Sequence, residues 1–166
     1  SAAAPDALPT VAETQRASAE RWERFWMHGG AIDLSGSTDP RWRELERRVV
    51  LSQYQMAAQS AGSWPSAETG LMGIDFWSSQ FHMEMVWWHL AHYGLWDRWP
   101  MAERALGCYR RFLPVARRLA AQFEYRGARW GKQVGPEGRT APWDGSFVLH
   151  WQQPHPIFFA ELEHRL

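Results

Sequence analysis

The sequence has little cysteine, no excess of either charge and no long hydrophobic run. Cys108 is the single cysteine among 166 residues, which excludes an internal disulfide and a cysteine-rich zinc site, and we interpret it as a small buried side chain. Eighteen basic and eighteen acidic side chains give a formal net charge of zero, which argues against binding to nucleic acids or to anionic membranes. The apolar runs are far shorter than the ~20 residues that a membrane-spanning helix needs.

Motifs for phosphate binding, nucleophilic catalysis and metal binding are also missing. The sequence contains no Gly-rich phosphate loop, no GxSxG elbow and no HExxH motif. Three histidines, His82, His89 and His92, lie close together, and helical spacing would place the first two about 20° apart on one face. Because no carboxylate shares that face, we expect packing histidines rather than a metal site. No cofactor is expected.

The composition predicts one globular domain with room for a hydrophobic core, since 45% of the residues are hydrophobic and 22% are charged. Residues 1–10 are rich in Ala and Pro and are predicted to form a linker, which leaves 11–166 as a single helical domain. The chain begins Ser-Ala-Ala-Ala-Pro rather than with Met, so we expect a processed or excised chain. The final segment IFFAELEHRL stops within a helical pattern, so we expect the natural protein to continue.

Hydrophobic periodicity and capping signals predict several helices and no convincing strand. The predicted helices run from about Val11 to His28, from the Thr38-Asp39-Pro40 cap to about Ser60, from about Phe81 to Tyr93, from Met101 to Phe123 with a kink or division at Pro114, and onward from Pro154-His155-Pro156. Two long Gly/Pro-rich loops, Ala61–Gln80 and Tyr125–Val148, separate them. The fold class is therefore predicted to be all-α, with short strands inside the loops left open.

Tryptophan is abundant, with twelve residues against four tyrosines. Trp and Tyr rings stack on the apolar face of a sugar ring, while carboxylates, amides and basic groups bind its hydroxyls. The alternative is that the tryptophans belong to the core. The candidate sugar-binding residues, most of them in or beside the two loops, are Trp77, Trp87, Trp88, Arg129, Trp130, Lys132, Trp151, Gln152, Gln153 and His155.

Glu84, within the segment FHMEMVWW, is the main candidate for a catalytic carboxylate. In the first turn of the predicted third helix it would lie about 40° from Trp88, with Trp87 beside it. The helix dipole would favour its ionised form, whereas burial against tryptophan would oppose it. The alternative is a glutamate that only complements the dipole.

Three consecutive motifs resemble part of a known enzyme fold. FHMEMVWWHLAHYGLWDRW, then YRGARWGKQVGPEGRTAP, then HWQQPHPIFFAELEHR resemble the (α/α)6-barrel, or six-hairpin, glycoside hydrolases related to glycoside hydrolase family 65. The resemblance covers roughly Trp64 to Arg165. The family's aromatic-Asp-Thr-Glu pattern appears here as Phe81-His82-Met83-Glu84, so Glu84 matches and His82 replaces the Asp.

The resemblance implies a partial catalytic site. The relatives' general acid would fall around Leu149-His150, and neither residue is a carboxylate. Glu137 and Asp144 are the nearest substitutes. The implied reaction is glycosidic cleavage with inversion, in which one carboxylic acid protonates the leaving oxygen and a second carboxylate activates water.

Chain length suggests that the barrel is incomplete. Twelve helices of ~11 residues joined by loops of ~5 need about 190 residues, so this chain supplies about half of an (α/α)6 toroid. Its exposed apolar face is expected to associate with a second copy or with the missing half. The expected ligand is a carbohydrate. Two alternatives remain open, a non-catalytic carbohydrate-binding module and a structural or oligomerising helical domain.

Overall fold

Helices dominate the structure, which confirms the all-α class expected from the sequence. The structure is a computed structural model that describes residues 8–67, 80–140 and 148–166. Two predicted site residues, Trp77 and Asp144, lie outside these described residues. The chain divides into two compact units, Ser1–Ala31 and Ile32–Leu166.

The first unit contains helix α1, Val11–Met27, which ends one residue before the predicted boundary. Its start is a capping box, because the Thr10 hydroxyl accepts from the Glu13 backbone N–H and the Glu13 carboxylate accepts from the Thr10 backbone N–H. Along the helix, the Phe25 ring packs edge-to-face on Trp22 and Trp26, at 5.4 and 4.7 Å.

Helix α2, Trp42–Gln59, opens the second unit and begins two residues after Pro40, so the predicted cap at Thr38-Asp39-Pro40 is wrong. The Asp39 carboxylate accepts from the Arg41 backbone N–H at 2.9 Å and also binds the Arg41 guanidinium. This local turn keeps the backbone at Asp39–Arg41 outside the helix. At the other end, Ser60 caps the helix where the sequence predicted its end.

The segment predicted as one helix from Phe81 to Tyr93 is divided into a strand, a turn and two short helices. Strand β1, Phe81–His82, is followed by a turn, by α3, Val86–Leu90, and by α4, His92–Leu95. Strand β1 pairs antiparallel with β2, Gln133–Val134, with Phe81 opposite Val134 and His82 opposite Gln133. A partner far along the chain thus overrides the local helical pattern.

Helix α5, Trp99–Gln122, is one continuous element of 24 residues that begins two residues before the predicted start. Pro114 does not divide it. Pro114 and Arg110, whose carbonyl loses its usual hydrogen bond, are both exposed, so water can take the place of the missing N–H. Helix α6, His155–Arg165, begins within the Pro154-His155-Pro156 segment as predicted.

The core of the second unit forms around the buried face of α5, which packs against α4 and α6. Its buried side chains on α5 are Ala102, Ala105, Cys108, Tyr109, Phe112, Ala116 and Ala120. Burial raises the pKa of Cys108 to about 12, in line with the expected inert buried thiol. Within the described parts of the chain, no helix is both long and apolar enough to cross a bilayer.

A stack of three rings fixes β1 to α5. The Phe81 ring centroid lies 5.1 Å from that of Trp64 and 6.3 Å from that of Phe112, and Trp64 and Phe112 are 5.8 Å apart, so each ring contacts the other two. The Arg111 guanidinium covers the outer face of Trp64 at 4.0 Å and donates to the Ser63 carbonyl at 2.6 Å. The stack holds the start of the first predicted loop in place.

Gly138 is expected to be essential to the turn after β2. Its φ of +76° disfavours any side chain, and a Cβ there would lie 2.6 Å from the Phe112 ring. We expect Gly138→Ala to lower the free energy of unfolding by about 1–3 kcal/mol in urea denaturation. Gly135→Ala, in the same turn with nothing within 4 Å of its Cβ, is the control. Equal stability of the two variants would contradict the proposed contact.

Candidate functional site

Glu84 lies in the turn between β1 and α3, not on a helix as the sequence predicted. Its backbone N–H donates to the Lys132 carbonyl at 3.1 Å. Its carboxylate Oε2 lies 3.2 Å from Lys132 Nζ and 3.2 Å from His82 Nε2. Two positions far apart in sequence are therefore joined twice, once through the backbone and once through the side chains.

The Glu84 carboxylate is partly buried, with 14% of its side chain exposed against 3% for His82 and 26% for Lys132. A carboxylate at this depth is stabilised by a cation and hydrogen-bond donors, which Lys132 and His82 supply. His82, which stands where the related pattern has Asp, thus contacts Glu84 directly. Lys132, which the sequence predicted to bind sugar, forms an ion pair with Glu84 in the structure.

His155, at the start of α6, borders Glu84 on another side. Its side chain is buried, and Nδ1 lies 3.3 Å from the Met83 carbonyl oxygen. Burial lowers the pKa of His155, and the Met83 carbonyl and the Glu84 charge only partly oppose this. His155 is therefore a neutral imidazole at neutral pH.

Four aromatic side chains form an exposed surface next to His155. Trp88 and Trp151 are 46% and 44% exposed and meet edge-to-face at 4.9 Å. Trp87 contacts Trp88 at 5.1 Å and Phe158 at 5.6 Å. The His155 ring lies 6.4 Å from Trp88 and 6.2 Å from Trp151. We call Trp87, Trp88, Trp151 and Phe158 the aromatic patch.

The predicted sugar-binding amides have another role in the structure. Gln153 accepts from the Trp130 backbone N–H at 2.8 Å and donates to the Trp130 carbonyl at 2.7 Å. Gln152, which is fully buried, donates to the same carbonyl at 3.0 Å. The Trp130 ring is 9% exposed and packs on Tyr109 at 5.0 Å. These three residues tie the second predicted loop to the core, and the fully buried Gln152 amide cannot reach a ligand in solution.

Two further predicted residues lie in other contacts. The Arg129 guanidinium covers the Phe123 ring at 5.1 Å and the Tyr125 ring at 5.7 Å, beyond the end of α5. Glu137 is exposed at the tip of the turn after β2 and makes no hydrogen bond or ion pair with other described residues. Neither residue is joined to Glu84.

Among the described residues, no group of three or more His, Cys, Asp or Glu side chains is placed to hold a metal ion. His82 binds Glu84, and His92 Nε2 lies 3.0 Å from the His89 carbonyl oxygen. These contacts agree with the packing role expected for the histidines.

The buried neutral state of His155 predicts a pH dependence of stability. The unfolded chain, with a histidine pKa near 6.5, binds more protons in acid than the folded protein does, so stability falls as the pH drops below 6.5. We expect His155→Gln to reduce this fall, measured as the urea midpoint from pH 7.5 to 5. Part of it will persist, because burial also lowers the pKa of His92.

The matched control is His164→Gln, which changes an exposed histidine on the same helix. It should leave the pH dependence unchanged. A profile for His155→Gln that matches the original protein would contradict the buried neutral state.

Comparison of the chain with protein-family models, with curated proteins and with solved structures finds no match. The likeness to six-hairpin glycoside hydrolases therefore rests on the sequence motifs that contain Glu84, Trp130 and His155.

Proposed function

We propose that this chain is a carbohydrate-active domain whose aromatic patch holds a sugar ring while Glu84 accepts hydrogen bonds from its hydroxyls. The observation that carries the proposal is the exposed Trp88–Trp151 pair beside a charged, half-buried carboxylate. Aromatic faces bind the apolar side of a sugar, and a carboxylate binds its polar edge. His155 connects the two parts, since it contacts both tryptophan rings and lies close enough to Glu84 to feel its charge.

Within that function, Glu84 serves glycoside hydrolysis as a base or a hydroxyl acceptor. In this proposal Glu84, 3.2 Å from Lys132 Nζ, positions or activates water, and the proton donor to the leaving group is a different residue. An inverting site also needs a carboxylic acid ~6.5–9.5 Å away. Among the residues that the structure describes, no second carboxylate contacts the Glu84 cluster. The acid then comes from Asp144 or from a part of the enzyme outside this chain.

The same proposal gives the fold as about half of an (α/α)6 toroid. It is supported by the resemblance over Trp64 to Arg165 and by the helical content of the second unit. Leu95 on α4 and Ile157 on α6 are 83% and 73% exposed, as expected for an apolar face that associates with further helices.

A second candidate is a carbohydrate-binding module without catalysis. The observation that favours it is the single carboxylate of the cluster, already paired with a lysine. Such a module keeps the aromatic patch and needs no proton donor.

Titration with neutral oligosaccharides, followed by tryptophan fluorescence, tests sugar binding. In Trp88→Ala and in Trp151→Ala we expect the oligosaccharide affinity, read from the quenching, to be lost or to fall at least about tenfold. An aromatic side chain stacked on a nucleic-acid base contributes on the order of 1–3 kcal/mol, and we expect a comparable contribution from stacking on a sugar. Trp22→Phe, on α1, should leave quenching intact. Absence of any saccharide effect on the original protein would favour a structural domain.

Glu84→Gln separates catalysis from binding. In the natural full-length protein we expect turnover to fall at least about a hundredfold, within the range for a lost acid–base group, while oligosaccharide affinity changes far less. Glu137→Gln, at the exposed turn, should leave turnover unchanged. Original turnover in Glu84→Gln would exclude a catalytic role, and binding without turnover in the unaltered protein would favour the module.

A further inference from the structure

The exposed face of α5 concentrates positive charge although the whole chain is neutral. The helix carries five arginines against one acidic residue, Glu103. All five arginines are exposed, and we call them the arginine stripe: Arg104, Arg110, Arg111, Arg117 and Arg118. Equal totals of positive and negative side chains therefore conceal a strongly basic surface on one helix.

Several arginines on α2 and α6 pair with nearby glutamates, whereas those of the stripe do not. On α2, Arg47 and Arg48 both pair with Glu44, at 2.8 and 2.7 Å. On α6, Arg165 pairs with Glu161 at 2.7 Å. Among the described residues, Arg110, Arg117 and the other stripe arginines form no ion pair with a carboxylate. Arg111 lies over the Trp64 ring and donates to the Ser63 carbonyl, so the charge of the other four stripe arginines is the part available to an anionic partner.

Helical spacing arranges the stripe in two rows. Arg104, Arg111 and Arg118 recur every seven residues on one side, and Arg110 and Arg117 do so on the other. Seven residues rise about 10.5 Å, so charges on one side recur at that interval. Between the rows lie the small residues Gly107, Pro114 and Ala121, also seven apart.

The stripe ends in a groove of about 400 Å³. Arg118 and Gln122 line one wall from α5, and Arg139 and Thr140 line the other from the segment after β2. The described lining contains two guanidinium groups, an amide and a hydroxyl but no carboxylate. The C-terminal end of α5 carries a partial negative charge that repels anions. This repulsion is weak here, because the Ala120 carbonyl already accepts hydrogen bonds from backbone N–H groups that follow it.

We propose that the arginine stripe and its groove bind an anionic polysaccharide, with a carboxylate or sulfate ester seated between Arg118 and Arg139. This inference rests on the proposed carbohydrate function and names an acidic substrate class for it. Planar guanidinium groups bind such oxyanions through paired N–H donors. The 10.5 Å row interval is close to the repeat of a disaccharide, whereas the phosphates of one DNA strand recur every ~3.4 Å. The α5 residues between the rows are Gly107, Pro114 and Ala121, which offer no ring on which bases could stack.

Binding of polygalacturonate and of dextran sulfate, with neutral dextran as the reference, tests the proposal by calorimetry at low and high salt. We expect at least one of the two polyanions to bind at low salt and to weaken as salt rises. Arg110→Gln/Arg117→Gln and Arg118→Gln/Arg139→Gln should each weaken binding about twofold to thirtyfold, the range expected for the loss of two exposed ion pairs. Binding of polygalacturonate would indicate recognition of carboxylates, and binding of dextran sulfate would indicate recognition of sulfate esters.

Arg47→Gln/Arg48→Gln on α2 is the control, since it changes the net charge by the same amount where the arginines are already paired. Equal weakening in this control, no polyanion binding at low salt, or tighter binding of duplex DNA would each overturn the proposal. Quenching by neutral oligosaccharides at Trp88 and Trp151 reports separately on the proposed function. Quenching without polyanion binding overturns only this inference, and polyanion binding without quenching leaves the stripe but contradicts the sugar site at the aromatic patch.

Discussion

Pairing between the short strands β1 and β2 holds the Glu84 site together. A two-residue ladder is marginal by itself, so its stability must come from the side chains around it. The Phe81 ring supplies part of this by packing against both Trp64 and Phe112, and Val134 opposite it is buried in the core. The ladder then continues into the turn, where Glu84 and Lys132 are joined through backbone and side chain. Loss of the ring stack would therefore separate the carboxylate from its lysine.

At this site the negative charge of Glu84 is balanced by Lys132, beside an apolar surface. An ion pair that is largely buried gains little net stability, because desolvation offsets the Coulomb attraction. The Lys132 and Glu84 side chains remain 26% and 14% exposed, which reduces that cost. His155 stays neutral because it is buried, so it adds no second positive charge beside the Glu84–Lys132 pair. The cluster thus combines a held carboxylate with an adjacent aromatic surface.

Local pattern predicted the helices well wherever packing follows the helical period, as in α1, α6 and most of α5. It failed at Phe81–His82, because pairing with Gln133–Val134 is a long-range contact with no local signal. That same failure misplaced Glu84 on a helix, next to Trp88, and did not predict its contacts with His82 and Lys132. Gln152 and Gln153 have the composition of sugar ligands, yet Trp130 offers backbone groups that must be satisfied once buried, and this need recruits both amides. Only three-dimensional contacts can separate those two uses of an amide.

Net charge was similarly misleading when taken as a property of the whole chain. A sum of zero excludes a strong overall field, but it says nothing about how charges are distributed among helix faces. On α2 and α6, acidic residues three or four positions away pair with Arg47, Arg48 and Arg165, whereas α5 has Glu103 alone near its start. The buried side of α5 is apolar and fully used by the core, so every charged residue of that helix must lie on its outer face. Segregation of arginine on α5 is therefore a consequence of its amphipathic packing combined with a lack of acidic partners, and it provides a basic surface separate from the Glu84 cluster.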